Sequence, residues 1–257
     1  MSVNEKMTDI ADRLRGYAQK TDKLSLDDMP SEIDCAFGQG FYYGNNQSNF
    51  VNTTEFWDIV QANGARTHYD NAFRGTFWDD TNFKPKHSMK ISSAYRMYYG
   101  AINLTDLSGI DMDFSECAEF AGCWAMCSGL VALGDISFVS ATSVSQILTN
   151  CKALTRVGTV TVNATTNIKN VFANLTALVD IRFAGEIGQD TSFAKCPLNR
   201  VSIESILDHL STTSQGMTLT LKSGLVDTAF ETSEGAGDGR AVFESLIAGK
   251  RNWSFSY

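Results

Sequence analysis

Histidine is scarce in this sequence, clusters of basic residues are missing, and no long apolar run occurs. Each absence closes off a class of function. The three histidines, His68, His87 and His209, stand outside any G-x-S-x-G or H-E-x-x-H arrangement, so no familiar hydrolase or metalloprotease signature is present. Triads do assemble from distant positions, but no residue set here has the required chemistry at recognisable spacing. A non-enzymatic protein without cofactors is the expectation.

Acidic residues number 29 against 21 basic ones, a net charge of -8 without a local Lys/Arg cluster. A phosphate backbone would be repelled, which argues against a nucleic-acid partner. No uncharged apolar stretch approaches the ~18 residues that cross a bilayer, so no membrane insertion is expected. The opening "MSVNEKMTDIADRLRGYAQK" is acidic early and lacks the apolar core of a secretory signal. Six cysteines in 257 residues are too few for a disulfide scaffold. Reduced thiols are the default.

With 43% hydrophobic residues, the chain can bury one elongated core or two compact ones. Met7, Ile10, Ala11, Leu14 and Ala18 recur at helical spacing, and Ser2 with Glu5 forms a capping box before them. "LSLDDMPSEI" predicts a short second helix, capped by Ser25 and holding Pro30 in its first turn. Residues 1–37 are therefore read as a helical segment. Residues 38–92 form an aromatic-rich connector: "AFGQGFYYGNNQSNF" has no period, and the aromatics of "RTHYDNAFRGTFWDDTNFKPKHSM" need a surface to bury against.

From residue 93 internal repetition dominates. "MYYGAINLTDLSGI", "CWAMCSGLVALGDI", "ILTNCKALTRVGTV" and "VFANLTALVDIRFA" align without gaps on Leu104, Leu130, Leu154 and Leu178, which are spaced 26, 24 and 24 residues apart. Three residues after each anchor stand Leu107, Leu133, Val157 and Ile181, and six before stand Tyr98, Trp124, Leu148 and Phe172. Such a unit cannot bury its apolar face alone, and stacking buries it against its neighbours. A short helical or turn segment is expected before each anchor and a strand after it, as in "LTRVGTVTV". A shortened fifth unit, "FAKCPLNRVSI", puts Leu198 and Val201 in step. The array is read over 93–203.

Residues 204–257 predict a small α/β cap: a helix on "SIESILDHLSTT", a strand on "GMTLTLKSG", helices on "LVDTAFETS" and "GRAVFESLIAGK", and a strand on "NWSFSY". Pairing of its two strands would shield the end of the stack.

Cys117, Cys123 and Cys127 fall within "ECAEFAGCWAMCSGL", which invites a metal or redox reading. Zinc takes four ligands, usually in close pairs such as C-x2-C, whereas this spacing is C-x5-C-x3-C with no histidine nearby. Alignment instead puts Cys123 in the column of Met97, Ile147 and Val171, and Cys127 in that of Ala101, Cys151 and Leu175. A thiol in such a column acts as a small hydrophobe. Cys196 falls near the Cys127 column, and Cys117 has no counterpart. "EGAGDGR" lacks the strand and the G-K-S/T of a phosphate loop, and "WDDTN" lacks the ligand spacing of a calcium loop.

The helix and K-L-x-L-D-x-M-P motif of "IADRLRGYAQKTDKLSLDDMPSEI", the block "FWDIVQANGARTHYDNAFRGTFWDDTNFKPKHSM" and the closing "GMTLTLKSGLVDTAF…NWSFSY" resemble structural proteins of tailed bacteriophages and prophages of gut Firmicutes. The repeats are similar to the bacterial surface type of leucine-rich repeat, often called BspA-like, whose members are commonly adhesins. The resemblance implies an α/β fold: a short leucine-rich-repeat solenoid with an N-terminal helical attachment segment and a small α/β C-terminal cap. It also implies a virion protein near the tail tip or baseplate, attached to other virion proteins through its N-terminal helices, acting as a homo-oligomer and meeting a host surface protein or glycan. The lack of an export signal favours that reading over a bacterial cell-surface adhesin, and a cell-envelope hydrolase is a third alternative.

Two candidate surfaces stand out. The first is the exposed strand positions Thr105, Asp106, Val131, Thr155, Arg156, Val179 and Asp180 between the apolar columns. The second is the loop with Phe41, Tyr42, Tyr43, Asn45 and Asn46, because Tyr with Asn and Gly makes an adaptable contact patch.

Overall fold

A computed structural model describes residues 69–70, 73–75, 79–80, 88–231 and 238–257. The expected N-terminal helices and the loop residues Tyr42, Tyr43, Asn45 and Asn46 lie outside the described residues.

Eight short strands come first: β1 (Met89–Lys90), β2 (Asp106–Leu107), β3 (Met112–Asp113), β4 (Ala132–Leu133), β5 (Ile136–Ser137), β6 (Arg156–Val162), β7 (Asp180–Gly185) and β8 (Thr191–Ser192). Every pairing among the described strands is parallel. Asp106 faces Ala132, Ala132 faces Arg156, and Arg156 faces Asp180 across β2, β4, β6 and β7. Isolated parallel bridges link Ser93 to Glu119 and Glu119 to Ser143 on another side. The chain therefore climbs as a solenoid-like stack of parallel β coils. Coil-to-coil bonds are already present upstream of residue 93: the Tyr69 amide donates to Ser93 O at 2.8 Å, and that of Phe73 to Met97 O at 2.7 Å.

The apolar columns form the interior. Leu104, Leu130, Leu154 and Leu178 are all buried, as are the columns three residues after and six before them. Rings stack along the axis, Phe73 on Tyr98 at 5.4 Å and Tyr98 on Trp124 at 6.3 Å with only 7° between their planes. Phe172 stacks on Phe193 at 5.3 Å further along. In β6 the inward residues are Val157, Val160 and Val162. The step of three follows from a register shift between Arg156 and Thr159, where an extra residue re-aims the side chains.

The segment before each anchor is not a helix. Residues 95–100, 121–126 and 145–150 are turns, bounded by left-handed residues in matching columns: Arg96, Gly122 and Gln146 at φ 50°, 65° and 55°, then Gly100, Met126 and Asn150 at 73°, 67° and 65°. A left-handed residue breaks the helical path. Several amides then bond along the stack, not back along their own turn: Tyr98 donates to Cys123 O at 2.8 Å, Gly100 to Ala125 O at 2.9 Å, and Trp124 to Ile147 O at 3.0 Å. Of the two forms expected before the anchors, helical or turn, these coils take the turn, and the turns form a ladder.

The C-terminal part contains α1 (Arg200–Asp208), β9 (Met217–Thr220), α2 (Leu225–Ala229), α3 (Gly239–Ile247) and β10 (Trp253–Ser256), in the order the sequence predicts. Asn199 caps α1 by accepting from the Ser202 amide at 2.8 Å. Val201 is 52% exposed on this helix, so it is not a core partner of Leu198 as the fifth repeat unit suggested. The physical reason is that α1 takes the place of the next strand. Ser202 Oγ accepts from the Ile181 amide and Ser205 Oγ from that of Phe183, each at 3.0 Å, so helix hydroxyls satisfy the edge of β7. The cap strands do pair, in parallel, and β9 also pairs with β8. Among the described residues no helix is long and apolar enough to cross a membrane.

Candidate functional surface

The strand positions picked from the sequence share one face. Thr105, Val131, Thr155 and Val179 stack in one outward column, joined by amide-to-carbonyl bonds of 2.8 to 2.9 Å between successive coils. Val131 and Val179 are 42% and 38% exposed, and Thr155 Oγ1 donates to Val131 O at 3.1 Å. Beside this column runs Asp106, Ala132, Arg156 and Asp180. Asp180 is half-buried and the other two charged residues are exposed.

Arg156 organises the second column. Its Nη2 donates to Ser108 Oγ at 3.2 Å, two coils away. The side chain therefore lies across the intervening coil, where Ala132 is buried despite its outward position. Asp106 accepts from the Ser108 amide at 2.8 Å and from Ser108 Oγ at 2.6 Å. Those bonds, with a smaller contribution from the Arg156 charge, hold its carboxyl below the ordinary value. Asp180 pairs with Arg182 at 2.5 Å.

An open groove of about 570 Å³ follows, lined among others by Ser108, Asp111, Leu133, Asp135, Arg156 and Gly158. A side chain at position 158 would press to 2.8 Å of the Gly134 carbonyl carbon, so glycine there is required for the close approach of two coils. Asp135 Oδ1 accepts from the Thr159 amide at 2.6 Å. A second groove of about 470 Å³ is lined by Ser, Thr, Asn, Gln, Ala and Val side chains, including Ser140, Thr142, Gln146, Asn163 and Asn170. These surfaces offer hydrogen bonds and exposed charges of both signs to a partner.

The cysteines point elsewhere. Cys117, Cys123, Cys127, Cys151 and Cys196 are all free and buried. Burial pushes the thiols of Cys117, Cys151 and Cys196 up to about 12, and a protonated thiol is a poor nucleophile. Cys117, left without a counterpart by the sequence alignment, closes a turn after Phe114 as Ala141 does after Phe138 in the next coil, with amide bonds of 3.0 and 3.1 Å, and its thiol donates to Glu119 O at 3.6 Å. Among the described residues no group of three or more His, Cys, Asp or Glu is placed to hold a metal ion. His209 terminates α1, its Nδ1 2.8 Å from Ser205 O. Asp80 of "WDDTN" accepts from the Thr105 amide at 2.8 Å.

Sequence reasoning missed the face made by the turns, where Tyr95, Arg96 and Tyr99 gather. The signal that would have found it is the pair of columns Arg96, Gly122, Gln146 and Gly100, Met126, Asn150, where a Gly or Asn in each suits left-handed corners.

Comparison with known proteins gives no match to a family model, a curated protein or a solved structure.

Proposed function

We propose that this chain is a non-enzymatic recognition protein of a tailed-phage virion, held at the tail tip or baseplate, whose coil stack presents its outward columns to the host surface. In this reading the coil is a variant leucine-rich repeat in which hydrogen-bonded turns replace the helical segment. The N-terminal segment attaches it to other virion proteins, and copies of the chain assemble into a homo-oligomer.

The observation that supports this most is the continuity of the outward face. Columns from Thr105 to Val179 and from Asp106 to Asp180 run unbroken across successive coils, the kind of extended surface on which repeat proteins bind partners. The phage-type motifs of the sequence supply the setting. Locating the chain by imaging purified particles tests the proposal: a peripheral position with the strand face free is the expected result. Occurrence only in the envelope of cells that make no particles would sink it and favour the cell-surface adhesin.

A further inference from the structure

Of the grooves, clusters and patches on the molecule, the turn face at the start of the described stack carries the most. The Arg96 guanidinium lies 5.1 Å from the Tyr95 ring centroid and 5.4 Å from that of Tyr99, and the Arg74 guanidinium lies 4.8 Å from the same Tyr99 ring. One aromatic ring thus holds two cations beside it. All three of Tyr95, Arg96 and Tyr99 are only half-buried.

The backbone shows that the arginine is kept there at a cost. Arg96 has φ 50°, in a corner column where the next coil uses Gly122. Glycine adopts such a conformation freely, while a residue with a Cβ does so at a penalty. Gly122 in turn leaves its coil bare: a Cβ there would meet Arg96 Cγ at 3.3 Å and Tyr99 Cδ2 at 3.9 Å. The arginine stem and the tyrosine ring therefore lean together over a glycine. Beyond them, along the stack, Met126 is 41% exposed and Asn150 Nδ2 donates to its sulfur at 3.0 Å.

We infer that Arg96 and Tyr99, with Tyr95 and Arg74, form a binding site for an anionic saccharide. A planar guanidinium fork matches a carboxylate or phosphate, and the tyrosine rings supply flat apolar area with polar tips. In a chain of net charge -8 the guanidinium of Arg96, with that of Arg74 across the same ring, is where such a ligand finds positive charge, and it competes there with the Asp70 carboxylate, which accepts from the Tyr95 amide at 2.9 Å. This inference deepens the recognition role proposed above and rests on it.

The test uses the full chain in calorimetric titrations with galacturonate trisaccharide, its trimethyl ester, and mannose 6-phosphate. At least one of the two anionic probes is expected to bind, the trisaccharide at least tenfold more tightly than its ester if the carboxylate is the group read. The decisive variant is Arg96→Gly, which removes the side chain at a backbone position glycine adopts without strain, so folding is retained. Tyr99→Ala is the second variant, with Lys222→Ala, an exposed cation of the C-terminal cap, as the control. Loss of binding by at least tenfold in Arg96→Gly and Tyr99→Ala, with Lys222→Ala unchanged, is the expected pattern. Equal affinity for the acid and its ester without phosphate binding, absence of binding to either anion, or full binding by Arg96→Gly overturns the site. Adhesion of labelled protein to host envelopes separates the two levels. Adhesion that Arg96→Gly leaves intact overturns this site and leaves the recognition role standing.

Discussion

The Cys151 thiol donates to the Trp124 carbonyl oxygen at 2.9 Å, from one coil to the next. Cys127 does the same to Tyr98 at 2.9 Å and Cys196 to Phe172 at 3.0 Å. Each thiol therefore bonds the backbone of an aromatic-column residue in the coil before it. Of the cysteines that cluster in the sequence, Cys127 is thus one rung of a repeated tie between coils.

Replacing Cys151 with Ala removes that tie and leaves a small cavity, and a loss of about 1–2 kcal/mol in denaturant unfolding is expected. The same burial sets an alkaline limit. With the thiols of Cys151 and Cys196 raised from 9.0 to about 12, the folded state holds protons that the unfolded state gives up. Their contribution is fully present below pH 9 and is lost as pH rises toward 12, at a slope of up to about 1.4 kcal/mol per pH unit for each thiol. Unfolding curves at pH 8, 9 and 10 check this: stability should fall across that range, and less steeply in the Cys151→Ala variant. In the native protein the thiols of Cys117, Cys123, Cys127, Cys151 and Cys196, all buried, should also resist modifying reagents at pH 8, read site by site.

Two glycines should respond in opposite directions to alanine. At Gly158 a Cβ would come within 2.8 Å of the Gly134 carbonyl carbon and 2.9 Å of the Asp135 amide nitrogen, so Gly158→Ala forces two coils apart and should cost about 1–3 kcal/mol or more. At Gly109 a Cβ meets nothing within 4 Å and φ is not in the left-handed range. Gly109→Ala should stabilise by about 0.4–1 kcal/mol through the unfolded chain. Thermal melts of the pair decide the point.

How much of this was legible follows from what periodicity encodes. Met97, Tyr98, Ala101 and Leu104 have helical spacing, and all four are buried as that spacing predicts. Yet the segment is a turn, because a side-chain pattern reports which residues face inward and not where the amides bond. In a stack the amides of Tyr98 and Gly100 find partners in the next coil, and no single repeat contains that information. Similarly, the order of the cap elements was readable from local pattern, whereas the exposure of Val201 depends on α1 replacing a strand. Of the surface, the strand columns were legible because they sit between apolar columns. The Tyr95, Arg96 and Tyr99 platform was not, since its three residues come together through a left-handed corner.

The docking of α1 rests on Ser202. Its hydroxyl is fully buried, accepts from the Ile181 amide at 3.0 Å and lies 3.2 Å from Val179 O as donor. Ser202→Ala strands the Ile181 amide away from water, and a loss of about 1–3 kcal/mol is expected. Hydrogen exchange makes the prediction specific: the Ile181 amide should lose protection while that of Val157, deeper in the stack, keeps it.

The strand face offers a test in which two neighbours of one carboxylate are told apart. Asp106 is held below its ordinary pKa first by the two bonds from Ser108 and to a smaller degree by Arg156. Lowering of this kind contributes stability above the unfolded pKa that disappears as pH falls through the folded one, although at an exposed site solvent screening keeps the effect small. Carboxyl titration by NMR reads it directly. Ser108→Ala should raise the Asp106 pKa more than Arg156→Ala does, because the hydroxyl bond is lost outright while the guanidinium acts only through its field. Arg156→Ala should in turn uncover the Ala132 methyl, detectable as new solvent contact in the same spectra. A larger shift from Arg156→Ala would mean that the arginine, and not the Asx-type turn at Asp106, sets the charge of this face.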